Sequence, residues 1–216
     1  MEEAATPPPY YYPPPPKWHQ TFTGKILLLN VLVFIGQIMW DGNDNAFTTK
    51  WAMSLEGMRA GHWWQLLTYQ FLHGGFIHIL FNCLLISVMG KILEAYFGKW
   101  RFLGLYLLSG VVGGLIELYV LKRHGTDSLV LGASAGAAGL VASFATLFPF
   151  ERLKVLLLFV IPVAMSARTL LWLSIVISVV GMTGIIPGKI AHAAHLGGLV
   201  FGILATKFLM RRQGTP

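Results

Sequence analysis

Three short runs hold the side chains whose types and spacing could do chemistry. In His78-Ile79-Leu80-Phe81-Asn82 an imidazole and a carboxamide stand four residues apart. On a helix they share one face, about 5–6 Å apart, and can present two hydrogen-bond donors to one point. Gly132-Ala133-Ser134-Ala135-Gly136 sets a hydroxyl among residues small enough for another helix, or a substrate, to approach the backbone closely. His192 and His195 share a face at a spacing of three, with Lys189 just ahead of them, and His73 precedes His78 by five. Ser134 is therefore a candidate nucleophile, with the duller reading that it is a small contact residue between packed helices. The histidines also fit a transport or proton-relay path, since ionisable groups within a membrane usually face the protein interior. Four of them at spacings of three to five would suit zinc or copper, but the sulfur and carboxylate partners are missing, so no metal is expected. The serine run satisfies the nucleophile-elbow pattern too, yet that motif needs a strand before it and a helix after it, and the flanks here read as membrane helix and loop. Glu117 reads as an inward-packed, hydrogen-bonded acid, with a proton path as the alternative.

The elements that must position these residues are long apolar runs separated by short polar breaks. A membrane span needs about 20 predominantly apolar residues. The first runs from Ile26 to Trp40, lengthened by Thr23 and Gly24, and ends in the turn-rich Asp41-Gly42-Asn43-Asp44-Asn45. After a loop from Ala46 to about Gln70 come His73 to Leu93, Trp100 to Leu121, and about Leu129 to Phe148. Val155 to Gly181 is too long for one untilted helix and is broken by Pro162 and Arg168. Val155 to Ala167 is read as a partly membrane-embedded connection, and about Thr169 to Ile186 as the fifth span. The sixth runs from about Ala191 to Met210 and is closed by Arg211 and Arg212.

Composition agrees with a membrane protein. Of 216 residues, 55% are hydrophobic and only 12% charged, about half the charged share usual for soluble domains. The net charge of +7 would suggest nucleic acid in a soluble chain, but no basic stripe with interleaved aromatics is present. Six spans put both termini on one side. With the N-terminus inside, 11 of the 16 Lys and Arg residues are cytoplasmic, leaving Lys50, Arg59, Lys122, Arg123 and Lys189 outside, as the positive-inside rule favours. Cys83 is the single cysteine, which excludes an intrachain disulfide and a cysteine-rich zinc site. Residues 1–22 are expected to form a proline-rich flexible arm, 23–212 the membrane domain and 213–216 a short tail. Pro7-Pro8-Pro9-Tyr10 and Pro13 to Pro16 favour polyproline II, and the first of these also fits a ligand of proline-binding modules. Met1 to Tyr12 is acidic and proline-rich rather than a secretory signal.

In order and in spacing these residues resemble the rhomboid family of intramembrane serine proteases, over nearly the whole chain. The pattern is H-x-x-x-N in the second span, G-x-S-G at the start of the fourth, and A-H followed by small residues in the sixth. It is met here by His78 with Asn82, Gly132-Ala133-Ser134, and Ala194-His195-Leu196-Gly197-Gly198 with Gly202 one turn on. His73 to Asn82, and Gly90 to Gly98 with Glu94 inside, also look like the family's second helix and its exit. The resemblance implies an all-α membrane protein, a six-transmembrane-helix rhomboid-like bundle with both termini cytoplasmic. It implies a Ser134–His195 dyad opening toward the outer face, without a cofactor or an orienting carboxylate. Asn82 and His78, with the Ser134 backbone N–H, match the oxyanion donors, and His73, His192 and Gly132 are secondary candidates. Gly198 and Gly202 form a small-xxx-small motif that would bring the sixth span against the fourth.

The partners implied are the lipid bilayer and transmembrane protein substrates, cut near the outer end of a helix that carries Gly or Pro, with the fifth span at the lateral entry. A plasma or bacterial inner membrane is expected. Three positions depart from the family's usual residues: Ala135 replaces a glycine after the serine, Ala138 an aromatic that stacks on the histidine, and Gln65 the arginine of a Trp-Arg pair after Trp64. They favour slow or selective cleavage over loss of chemistry. A catalytically silent, client-binding relative is the alternative, although such relatives typically lack the serine or the histidine. A small transporter is disfavoured by the absence of an internal repeat.

Overall fold

The computed structural model describes residues 17–42, 44–157, 161–185 and 190–212. Residues 1–16 of the expected arm, the tail 213–216 and Lys189 lie outside the described residues. Four helices are long and apolar enough to cross a membrane by length and composition: α1 (Phe22–Trp40), α5 (Phe76–Phe97), α6 (Lys99–His124) and α9 (His192–Arg212). Two more are apolar but shorter, α7 (Ser134–Leu147) and α8 (Ala167–Met182). Three short helices, α2 (Ala46–Trp51), α3 (Leu55–Arg59) and α4 (Gln65–Thr68), fold the segment that reads as a loop in the sequence.

Helix ends are fixed by particular residues. Thr21 caps α1 by accepting the Gly24 amide at 2.9 Å, the usual service of a threonine to orphan N–H groups. Glu94 of α5 adds a second cap from across the bundle. Its carboxylate accepts from the amides of Phe22 and Thr23 and from the Thr23 hydroxyl, each at 2.8 Å. Gly98, with φ of 81°, ends α5 and starts α6, a conformation that costs a residue with a Cβ far more.

α7 is the central element, packed against α5, α6, α8 and α9. Its buried face is Ala135, Gly136, Ala137, Gly139, Leu140, Val141, Ala142, Ser143, Phe144 and Ala145. Small residues let backbones meet. A Cβ at Gly198 would strike the Ala135 carbonyl oxygen, one at Gly202 the Gly139 carbonyl oxygen, and one at Gly197 would lie 2.9 Å from the Gly113 Cα. Thr206 of α9 also donates to the Ser143 hydroxyl at 2.7 Å within this contact. The larger apolar core, built on Phe102, Tyr106, Leu140 and Phe144, lies beside it toward the α1–α5–α6 side.

Several boundaries differ from the sequence reading, among them α8, which starts at Ala167 rather than Thr169. His73 stands ahead of α5 rather than within a span, because Gly74 and Gly75, the latter at φ 154°, precede the helix. The fourth run becomes helical only at Ser134. Val130 is engaged in backbone hydrogen bonds to Met53 at 2.8 and 3.0 Å, and Gly132 at φ 129° cannot continue a helix. The sixth starts at His192 and extends to Arg212. The connection after α7 is an antiparallel hairpin, β1 (Arg152–Leu157) with β2 (Ile161–Ser166), in register Arg152 to Ser166 and Leu157 to Ile161. Among the described residues it adds two strands to an otherwise helical chain.

Candidate active site

Ser134 is the first residue of α7 and His195 the fourth of α9. Their side chains meet: His195 Nε2 is 2.7 Å from Ser134 Oγ. Three contacts hold the two helix starts at this distance. Gly198, one turn after His195, lies on the Ala135 backbone. Gly113 of α6 leaves room for the Ala194 carbonyl and for the Ala135 methyl, 2.9 Å from where its own Cβ would be. The methyl of Ala135, which replaces the family's usual glycine, is thus taken up at the α6–α7 contact.

His78 flanks the serine from α5. A Cβ at Gly132 would lie 2.7 Å from His78 Cε1, 2.8 Å from its Nε2 and 3.6 Å from Ser134 Oγ, so the imidazole edge and the hydroxyl border the one position that glycine leaves empty. The Gly74 amide donates to His78 Nδ1 at 3.3 Å. With Nδ1 accepting, a neutral ring carries its proton on Nε2, the nitrogen facing the serine. Asn82 is buried one turn on, and its Nδ2 has no hydrogen-bond partner. An unpaired buried donor costs about 1–3 kcal/mol.

His73 and His192 stand beside the two site histidines. His73 meets His78 edge-on with ring centroids 5.1 Å apart, and His192 meets His195 at 6.2 Å. His192 packs over Gly181 of α8, where a Cβ would strike its ring. With Ala138 in place of an aromatic, His192 is a ring neighbour of His195. Among the described residues no group of three or more His, Cys, Asp or Glu side chains is placed to hold a metal ion.

Several residues outside the candidate site set hold this assembly. Gln37 of α1 clamps the His73 backbone, accepting its N–H at 2.8 Å and donating to its C=O at 3.4 Å, while its amide also donates to Thr48 at 2.9 Å. Thr48 in turn donates to Asp41 through its hydroxyl. Tyr69 donates to Gly110 O at 2.6 Å and accepts the Gly132 amide on its own carbonyl at 2.9 Å. Burial pushes its phenol well above the ordinary range, so it stays a donor. Gln65, which stands in place of the family's usual arginine, is itself buried and ties together the segment from α2 to α4 by accepting from Ser54 N–H and donating to Lys50 O, both at 3.3 Å. For Gln37 the only hint in the sequence was a polar residue inside an apolar run.

Comparison with known proteins gives a consistent result. A family model described as the Rhomboid domain matches residues 60–212. The chain is 27% identical over 193 residues to rhomboid protease AarA of Providencia stuartii, covering 83% of this chain and 69% of that protein. It is 30% identical over 197 residues to rhomboid protease GluP of Bacillus subtilis, covering 88% of this chain and 35% of the relative. With putative rhomboid protease YdcA of the same species it shares 38% identity over 96 residues, 44% of this chain and 47% of that one. The chain thus spans under half the length of the two Bacillus relatives.

Proposed function

The chain belongs to the rhomboid family, and from that premise we propose that this integral membrane protein is an intramembrane serine endopeptidase working through Ser134 and His195. The observation that carries the reading is the 2.7 Å approach of His195 Nε2 to Ser134 Oγ across 61 residues of sequence. A hydroxyl becomes a nucleophile when a base within hydrogen-bond reach takes its proton. Ser134 Oγ attacks the carbonyl carbon of the scissile amide as its proton passes to Nε2. The imidazolium then gives that proton to the leaving amine as the C–N bond breaks, and a water activated by the same imidazole hydrolyses the acyl-enzyme. Asn82 Nδ2, His78 Nε2–H and the Ser134 amide receive the oxyanion. The unpaired state of Asn82 Nδ2 supports its share in that role.

The six apolar helices α1 and α5 to α9 are the membrane domain, with both termini cytoplasmic and the dyad facing the outer side. At 1.5 Å per residue, α7 is about 21 Å long, well short of a hydrocarbon core of about 30 Å, which supports a Ser134 sunk below the outer membrane surface. The substrates are transmembrane proteins, and a helix with Gly or Pro unwinds more readily to expose an amide, because its backbone groups are otherwise all paired. α8, which turns Trp172, Val176 and Val179 outward, is the entry side. The membrane is a plasma or bacterial inner membrane.

Intact-mass analysis after treatment with a fluorophosphonate or isocoumarin tests the reading without a known substrate. Wild type gains one adduct, and Ser134→Ala and His195→Ala gain none. A folded wild type that takes no adduct overturns it and leaves the client-binding reading, for which the Ala138 departure is the motive.

A further inference from the structure

α9 opens at His192, so its first amides have no carbonyl one turn back within the helix. The His195 amide closes the first turn on Ala191 O at 3.2 Å. The Ala194 amide instead finds a side chain of α6: it donates to Glu117 Oε2 at 2.9 Å, across 77 residues. Glu117 is buried. One turn earlier on the same face of α6, Gly113 receives the Ala194 carbonyl and touches Gly197. α6 therefore grips the turn that carries His195 at two levels. The glycine sets how close α9 comes, and the carboxyl sets how far along α6 it sits and how it is rotated. A negative group also suits the positive end of a helix.

On the reading of Ser134 and His195 as the dyad, we propose that Glu117 is the positioning residue of His195. It takes the part that a carboxylate on the imidazole has in a Ser-His-Asp triad, but acts through the backbone: holding Ala194 N–H fixes the adjacent residue so that Nε2 reaches Oγ. The Glu94 carboxylate supplies the internal comparison, because it makes the same kind of interhelical cap at α1 without touching the dyad.

The test takes the full chain in mild detergent and measures two things: the rate of fluorophosphonate labelling of Ser134 per folded molecule, and hydrogen exchange in a peptide spanning residues 190–200. A small misplacement of a catalytic group costs roughly up to a hundredfold, so Glu117→Leu is expected to slow labelling by roughly ten- to hundredfold. Glu117→Asp, whose carboxylate is drawn back by one methylene, slows it as well. Glu117→Gln keeps an acceptor at the same reach and stays close to wild type. Exchange at the start of α9 rises in the Leu and Asp variants only. Glu94→Leu unfolds at a lower temperature yet labels at the wild-type rate while folded. Labelling of Glu117→Leu at the wild-type rate, a Gln variant as slow as the Asp variant, or unchanged exchange would overturn the proposal. If the Leu variant does not fold, the order of Asp and Gln decides it. A wild type without an adduct overturns the protease reading instead, and hydrogen exchange still decides whether Glu117 holds the turn.

Discussion

Gly132 sets the tolerance of the site at the scale of a single residue. Its φ of 129° is one that side chains rarely adopt, and its missing Cβ is the space that His78 occupies. Gly132→Ala is therefore expected to displace the His78 edge and lower the labelling rate of Ser134 by roughly a hundredfold, close to the loss seen when one oxyanion donor is removed from another protease. Labelling kinetics in folded protein check this. Asn82→Ala is expected to lower peptide-bond cleavage by about 10²–10³ in kcat while relieving an unpaired buried amide. Its thermal midpoint should then hold or rise as activity falls, and a variant that lost both together would argue that Asn82 is structural. Ser134, His195, His78 and Asn82 were legible as candidates in the sequence because polar residues stand out in apolar runs. Their convergence was not, since nothing local relates positions 61 residues apart; it came only from the order of motifs that resemble the rhomboid family.

Elements are held by caps and close approaches that a helix pattern does not reveal. Glu94 receives three donors from the first turn of α1, and hydrogen bonds to charged groups contribute about 1.5–3 kcal/mol each. Glu94→Ala is expected to lower stability by about 3 kcal/mol or more, read as the midpoint of denaturant or thermal unfolding in detergent. Gly198→Leu should be still more damaging, because its side chain meets the Ala135 backbone rather than a movable group, whereas Val200→Leu, on the exposed side of α9, should be neutral. Long apolar runs made α1, α5, α6 and α9 readable to within a few residues. The hairpin was not readable, because charged and apolar residues alternate only over Arg152-Leu153-Lys154-Val155, too short a stretch to separate a strand from a helix, and β2 shows no alternation before Ser166. α2, α3 and α4, at 6, 5 and 4 residues, are too short for periodicity to speak. Gln37 and His73 are 36 residues apart, so their clamp has no local signature.

For the whole molecule, the placement of charge and the length of α7 make a joint claim about topology. A thiol at the serine position, Ser134→Cys in a Cys83→Ala background, is expected to react with a membrane-impermeant reagent added outside sealed vesicles or spheroplasts. It should react more slowly than Thr126→Cys in the exposed turn after α6. Reaction only after the membrane is opened would reverse the proposed orientation. The glycine and alanine contacts around α7 carry one more consequence. Ala and Gly have no rotamers to gain on warming, so the surfaces that set the distance from Ser134 to His195 cannot loosen gradually as a bed of long side chains can. Heat inactivation should accordingly coincide with helix separation: activity lost along the same curve as the fold, with no cooler range in which the protein is intact but the site has softened.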